Sequence, residues 1–302
     1  MKIAGKIVAY TLGVVIVAAL LAPVLWWIGQ WGIESGTLSF LEGFRFAKYF
    51  NRAMLIVALV SLWPFLRWMG LKTWTELGLE PNPRRFKDLG IGIATGVVGL
   101  WVVAFGLLLT GQSVPRESIP WLKLAGAFGT ATIVPLIEEP VFRGALFGLL
   151  RKGMSWKWAL GSLSFFFAIL HFARPPPGSM RITDVHWYSG FDHFTRVFWQ
   201  FGRPELVVGG WLTLFVVGWI LGYTVVRTRS LYLALGLHGG WVLALRTFYF
   251  VSSRRAAPSI WVGKDLTTGI VPLLLLLASF AVIHLILERR DQAHRRGEGQ
   301  PS

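Results

Sequence analysis

Two adjacent carboxylates, Glu138 and Glu139, stand inside the otherwise apolar stretch 125–150, and Arg143 follows in the same stretch. A charge near the centre of a bilayer costs at least roughly 2.5–3.5 kcal/mol, so an intramembrane acid or base needs a partner and a purpose. On a helix Glu139 and Arg143 are four residues apart and share a face, whereas Glu138 lies about 100° round the axis. The spacing divides the pair. Glu139 can be neutralised by Arg143, which leaves Glu138 as the carboxylate free to take a proton. Two histidines join them, His171 in Phe167-Ala-Ile-Leu-His171 and His238 in Gly236-Leu-His238-Gly-Gly-Trp241-Val242. A lone histidine on an apolar helix is ordinarily a packing residue. Polar groups on three separate apolar segments argue instead for convergence on one cavity, which would offset the desolvation each one suffers. The chemistry open to such a cluster is water activation. A buried carboxylate acts as general base, one histidine orients the water, and another donates to an oxyanion as a carbonyl is attacked.

The elements that must position these groups are membrane helices. The chain has 302 residues, is 54% hydrophobic and only 15% charged, and has a mean hydropathy of +0.56, well outside the range of soluble globular domains. Apolar runs at 7–31, 53–71, 89–110, 121–150, 157–172, 206–226, 231–251 and 269–287 are mostly near the ~20 residues a spanning helix needs. The expected fold is therefore all-α: a polytopic membrane protein of about eight transmembrane helices enclosing an intramembrane polar site. The first run is too long for the apolar core of a signal peptide and reads as a retained span. One membrane domain results, with N-terminal spans over 1–120, a catalytic core over 121–250, and a last span with a basic tail over 251–302.

A formal charge of +15 raises the question of nucleic acid, but no basic stripe lies on a soluble domain and no nucleic-acid partner is expected. Topology accounts for the cations better. Placing both termini inside puts Arg84, Arg85, Lys87, Arg151, Lys152, Arg227, Arg229, Arg289 and Arg290 in short inner segments. The chain is thus expected to be an integral, multi-pass membrane protein, N-in and C-in, in the plasma membrane if it is bacterial. There is no cysteine, which excludes disulfides, thiolate metal sites and a cysteine nucleophile. Many of the 16 tryptophans, Trp26, Trp27, Trp63, Trp68, Trp156, Trp158 and Trp211 among them, sit near run ends and suit an interfacial belt.

Gly92 and Gly96 form a small-xxx-small pair suited to close helix contact, and Gly239 and Gly240 leave room beside His238 for another backbone or a substrate. His284, isolated in the last run, reads as packing. The connection from Arg174 through Pro175–Pro177 to Pro204 is the longest polar segment and contains Asp184, His186, Asp192 and His193. It is open to three readings: a metal site, for which the spacing fits no pattern, a lid that touches substrate, or an ordinary surface loop.

Read together, Glu138-Glu139-Pro-Val-Phe-Arg143, Phe167-Ala-Ile-Leu-His171 and His238 resemble the EExxxR, FxxxH and HxxxN motifs of the CPBP family, the CAAX protease and bacteriocin-processing intramembrane proteases. The three motifs occur in order over roughly 120–250, on the fourth, fifth and seventh apolar runs, which is the family's arrangement. No HExxH, GxSG or GxGD motif offers a competing protease design. The resemblance implies an intramembrane endopeptidase that hydrolyses a peptide bond of a membrane-associated peptide or protein within the lipid bilayer. It gives Glu138 the role of general base, has His171 hold the water and His238 contribute to the oxyanion site, and makes Glu139 and Arg143 their support. Two catalytic forms remain open. The preferred one is metal-free and needs no cofactor; in the other, zinc is held by Glu138, His171 and His238.

The third motif departs from the family pattern, because Val242 stands where HxxxN has asparagine and cannot donate a hydrogen bond. Trp241 Nε1 and Arg246 are the candidates for a replacement donor. The alternative to a protease is a catalytically weak or inactive immunity or scaffold protein of the same fold, with Val242 its best argument. A proton-coupled transporter using Glu138 has no inverted repeat to support it.

Overall fold

A computed structural model describes residues 3–77, 79–172, 184–202, 204–257, 259–263, 266 and 268–298. The chain folds almost entirely into helices: α1 (Ile3–Glu34), α2 (Phe46–Trp68), α3 (Arg85–Leu109), α4 (Trp121–Glu139), α5 (Phe147–Arg151), α6 (Trp156–Phe172), α7 (Ser189–Val197), α8 (Pro204–Thr228), α9 (Tyr232–Val251) and α10 (Ile270–Glu298). A helix satisfies every backbone polar group within its own segment, as hydrocarbon requires. Strand pairing among the described residues is confined to a short antiparallel pair, β1 (Ser113–Pro115) with β2 (Ser252–Arg254), in which Val114 lies opposite Ser253.

Among the described residues, five helices are long and apolar enough to cross a membrane, over Gly5–Glu34, Phe46–Trp68, Arg85–Leu109, Gly209–Thr228 and Ile270–Ala293. The chain is an integral membrane protein on this showing. Helices also occupy the other three runs expected to span, but none of the three is both long and apolar enough. α4 carries Lys123, Glu138 and Glu139, α6 is 17 residues long with His171 in its last turn, and α9 carries His238 and Arg246. These are the helices that hold the polar motifs. Ten residues of α9 are buried, so protein surrounds much of this helix where lipid would surround an ordinary span.

The chain divides into two compact units, residues 1–73 with 169–207, and residues 74–168 with 208–302. In the first, Ala18, Ala19 and Ala22 of α1 pack against Phe46, Phe50 and Ala53 of α2. α7 lies against the same helices, close enough that a Cβ at Gly190 would overlap the Ala19 carbonyl. The connection expected as a long polar loop therefore contains a packed helix. Its Arg174 and Pro175–Pro177 lie outside the described residues. Of its four possible ligands, Asp184 and His186 are exposed, Asp192 pairs with Arg196 at 2.7 Å, and His193 is buried with its ring 4.7 Å from that of Phe50.

The second unit is built on α3 and α9. Gly92 and Gly96 of α3 face Gly236 and Gly240 of α9, and each is there because a Cβ has nowhere to go. One at Gly92 would lie 2.5 Å from the Leu233 carbonyl oxygen and the Leu237 nitrogen, and one at Gly240 would lie 2.6 Å from the Ile93 oxygen. Gly239, on another side of α9, meets the Ala131 carbonyl of α4 at 2.9 Å. The glycines that flank His238 thus admit neighbouring backbones and clamp α9 between α3 and α4.

Candidate functional site

The helical path does not stop where α4 ends at Glu139. The chain continues as a π-helical segment, Pro140–Leu146, and then as α5. Pro140 has no N–H to give to the carbonyl four residues back, and the helix widens at that point to the i→i+5 pattern. Gly144 in this widened stretch and Gly148 in α5 let the chain settle against Trp74 and Leu77. Arg143 sits in the π segment and Glu138 and Glu139 in the turn before it, so the irregular backbone and the charged residues occupy the same few positions.

Glu139 and Arg143 are fully buried and joined, with Arg143 Nη1 donating to Glu139 Oε1 at 2.9 Å. His238 Nδ1 approaches the same oxygen to 2.8 Å from α9. An ionised carboxylate only accepts, so Nδ1 carries the hydrogen and Nε2 is left as the histidine's free face. Arg143 is steadied further by aromatic rings, its guanidinium carbon lying 4.3 Å from the centroid of Phe167. Phe142 completes the layer, edge-on to Phe167 at 5.2 Å. This role for Phe167 was not drawn from the sequence, although an aromatic residue one turn before a motif histidine was the available signal.

Glu138 stands apart from this lock. It is half-buried, within electrostatic range of His238, Glu139 and Arg143, and its Oε2 is enclosed without a hydrogen-bond partner among the described residues. The structure thus brings Glu138, Glu139, Arg143 and His238 into one group. His171 is half-buried in the last turn of α6, four residues beyond Phe167 and on the same helical face.

Of the two candidate replacement donors, Arg246 is exposed, whereas Trp241 is buried and its Nε1 has no acceptor among the described residues. Val242 is half-buried one turn after His238. Among the described residues, no three His, Cys, Asp or Glu side chains are grouped to hold one metal ion.

Comparison with known proteins bears on the same stretch. Residues 120–244 match the family model of the type II CAAX prenyl endopeptidase Rce1-like proteins, a segment that takes in α4 through α8 and most of α9. No curated protein and no solved structure matches the chain. The matched segment begins one residue before α4 and ends six residues after His238, so it carries all three motifs and the glutamate–arginine–histidine cluster. Residues 120–244 of this membrane protein therefore belong to the CAAX protease-like family.

Proposed function

We propose that the protein is an intramembrane endopeptidase that cleaves a membrane-associated peptide or protein with a water molecule activated by Glu138. The observation that carries this reading is the asymmetry of the two glutamates. One Glu139 oxygen is taken by both Arg143 and His238 and its other is buried without a partner, while neither Glu138 oxygen is held by a hydrogen bond among the described residues. A carboxylate left in that way is suited to take a proton from water. His238, its Nδ1 fixed by Glu139, is oriented to offer Nε2–H to an oxyanion only when it is protonated, and otherwise offers Nε2 as an acceptor. His171 enters by its motif position, as a second group on the attacking water. Trp241 Nε1, a buried donor three residues after His238, supplies the hydrogen bond that Val242 cannot.

The substrate reaches this site from the bilayer, and the Lys/Arg-rich short segments favour both termini on the inner side. The test is cleavage of a peptide panel by purified protein in liposomes, comparing wild type with Glu138→Gln and each with and without a strong chelator. Cleavage lost in the variant and kept with the chelator supports the metal-free form. Cleavage lost with the chelator supports a zinc form. One observation favours a second reading, an immunity or scaffold protein of reduced activity: Val242 in the oxyanion motif. On that reading Glu138→Gln leaves the biological role intact.

A further inference from the structure

Away from the glutamates, a cavity of about 810 Å³ lies within the second unit, where the start of α3, the last turn of α8, the first turn of α9 and the C-terminal part of α10 meet. Its walls divide by chemistry. Ile91, Leu233, Ile286 and Leu287 make an apolar side. Five cations, Arg84, Lys87, Arg227, Arg289 and Arg290, line the remainder with two carboxylates, Asp88 and Asp291.

Two of the cations are committed. Arg227 pairs with Asp291 at 2.6 Å and with Glu288 at 2.9 Å, and it also donates to the Tyr223 hydroxyl, which lies 2.7 Å from His284 Nδ1. His284, expected as an isolated packing residue, belongs to this buttress. Arg290 lies 3.3 Å from Asp88, which is buried and also accepts from Asn82 Nδ2 at 2.8 Å. Arg84, Lys87 and Arg289 face the same cavity with no ion-pair partner among the described residues. The result is a braced pocket with a surplus of three positive charges and an apolar wall.

A free inorganic anion would use the cations and leave the apolar wall wet. A phosphate that carries acyl chains uses both. We propose that this cavity binds the phosphate headgroup of an anionic phospholipid, with Arg84, Lys87 and Arg289 on the phosphate and the acyl chains running along Ile91 and Ile286. Basic pockets between membrane helices recognise headgroups in this way. The position suits such a ligand, because the cavity lies at the ends of candidate spans Arg85–Leu109, Gly209–Thr228 and Ile270–Ala293. Assignment to the inner leaflet rests on the N-in, C-in orientation; the binding itself does not.

The experiment is lipid titration by native mass spectrometry of the full chain in neutral detergent, with phosphatidylglycerol and phosphatidylcholine as probes. Wild type should prefer phosphatidylglycerol by about tenfold or more. The double variant Lys87→Gln/Arg289→Gln should lose that preference. A control of equal charge, Arg45→Gln/Arg255→Gln at two exposed positions outside the cavity, should keep it. Equal binding of the two lipids, or equal loss in both variants, would overturn the site. Glycerol phosphate competing as well as the lipid would overturn the lipid assignment in favour of a free phosphate. Glu138→Gln should bind lipid as wild type does, which keeps this test separate from the protease reading.

Discussion

His238 Nδ1 and Glu139 Oε1 lie 2.8 Å apart inside the protein, and that same oxygen accepts from Arg143. One carboxylate oxygen therefore ties the orientation of a histidine on α9 to a guanidinium in the π segment after α4. A change at either end is felt at the other. Glu138, one residue away, is outside the lock and is the proposed general base.

Replacing Glu138 by glutamine should lower kcat by at least about 100-fold, since a general base contributes roughly 10²–10⁴. Protein abundance and thermal midpoint should stay at the wild-type level. Steady-state cleavage in liposomes, read beside the melting curve, checks both; full activity in the variant would remove Glu138 as the base.

Glu139→Ala should destabilise the fold by roughly 3–5 kcal/mol, because it leaves Arg143 charged, buried and unpaired. Adding Arg143→Met should recover much of that loss, since a pair removed together leaves no orphan charge. Activity should not return, because His238 has lost the acceptor that sets its ring. Denaturant unfolding in micelles and a cleavage assay on the three variants separate stability from positioning.

At the third motif, Val242→Asn should raise turnover, by up to the roughly 10²–10³ that a single oxyanion donor supplies. Trp241→Phe should reduce it with little change in KM, because the indole donor acts on the developing charge and not on the bound ground state. Unchanged turnover in Trp241→Phe would exclude the indole from the site.

Gly236→Ala should cost roughly 1–3 kcal/mol or more, because the new methyl group meets the Leu89 carbonyl and must push α3 from α9. Since α9 carries His238, activity should fall in step with the thermal midpoint. An Ala at Gly126, where nothing lies in the way, is the control and should change neither.

In the first unit, His193 is buried beside Phe46 and Phe50, and burial together with the Arg196 charge lowers its pKa below 6.5, against a smaller opposing pull from Asp192. As the pH falls through 6.5 the unfolded chain takes up the proton first, so stability declines from there towards the folded-state value. Thermal midpoints between neutral and mildly acidic pH should show this decline in wild type and a shallower one in His193→Phe.

Local rules reached far in this chain. Apolar runs located the helices because hydrocarbon demands length and internal hydrogen bonding, which periodicity and composition report directly. The Glu139–Arg143 pair followed from i,i+4 spacing, and Gly92 and Gly96 were legible as a contact face because only a missing Cβ permits backbones to meet. The number of spans was less legible. The helices that carry motif residues are short or polar by composition, and whether protein or lipid surrounds them depends on neighbours that sequence does not name.

What the sequence determined by itself was the set of reactive groups, their order on apolar helices and the family they resemble, since residue type and spacing are properties of the chain alone. The tertiary structure decided which groups meet: that His238 shares the Glu139 oxygen with Arg143 across 99 positions, that Phe167 lies under the guanidinium, and that His284 braces a basic cavity through Tyr223 and Arg227. The first of these arises where helices distant in sequence are packed by backbone contacts at Gly236, Gly239 and Gly240, and no local spacing rule reaches that far.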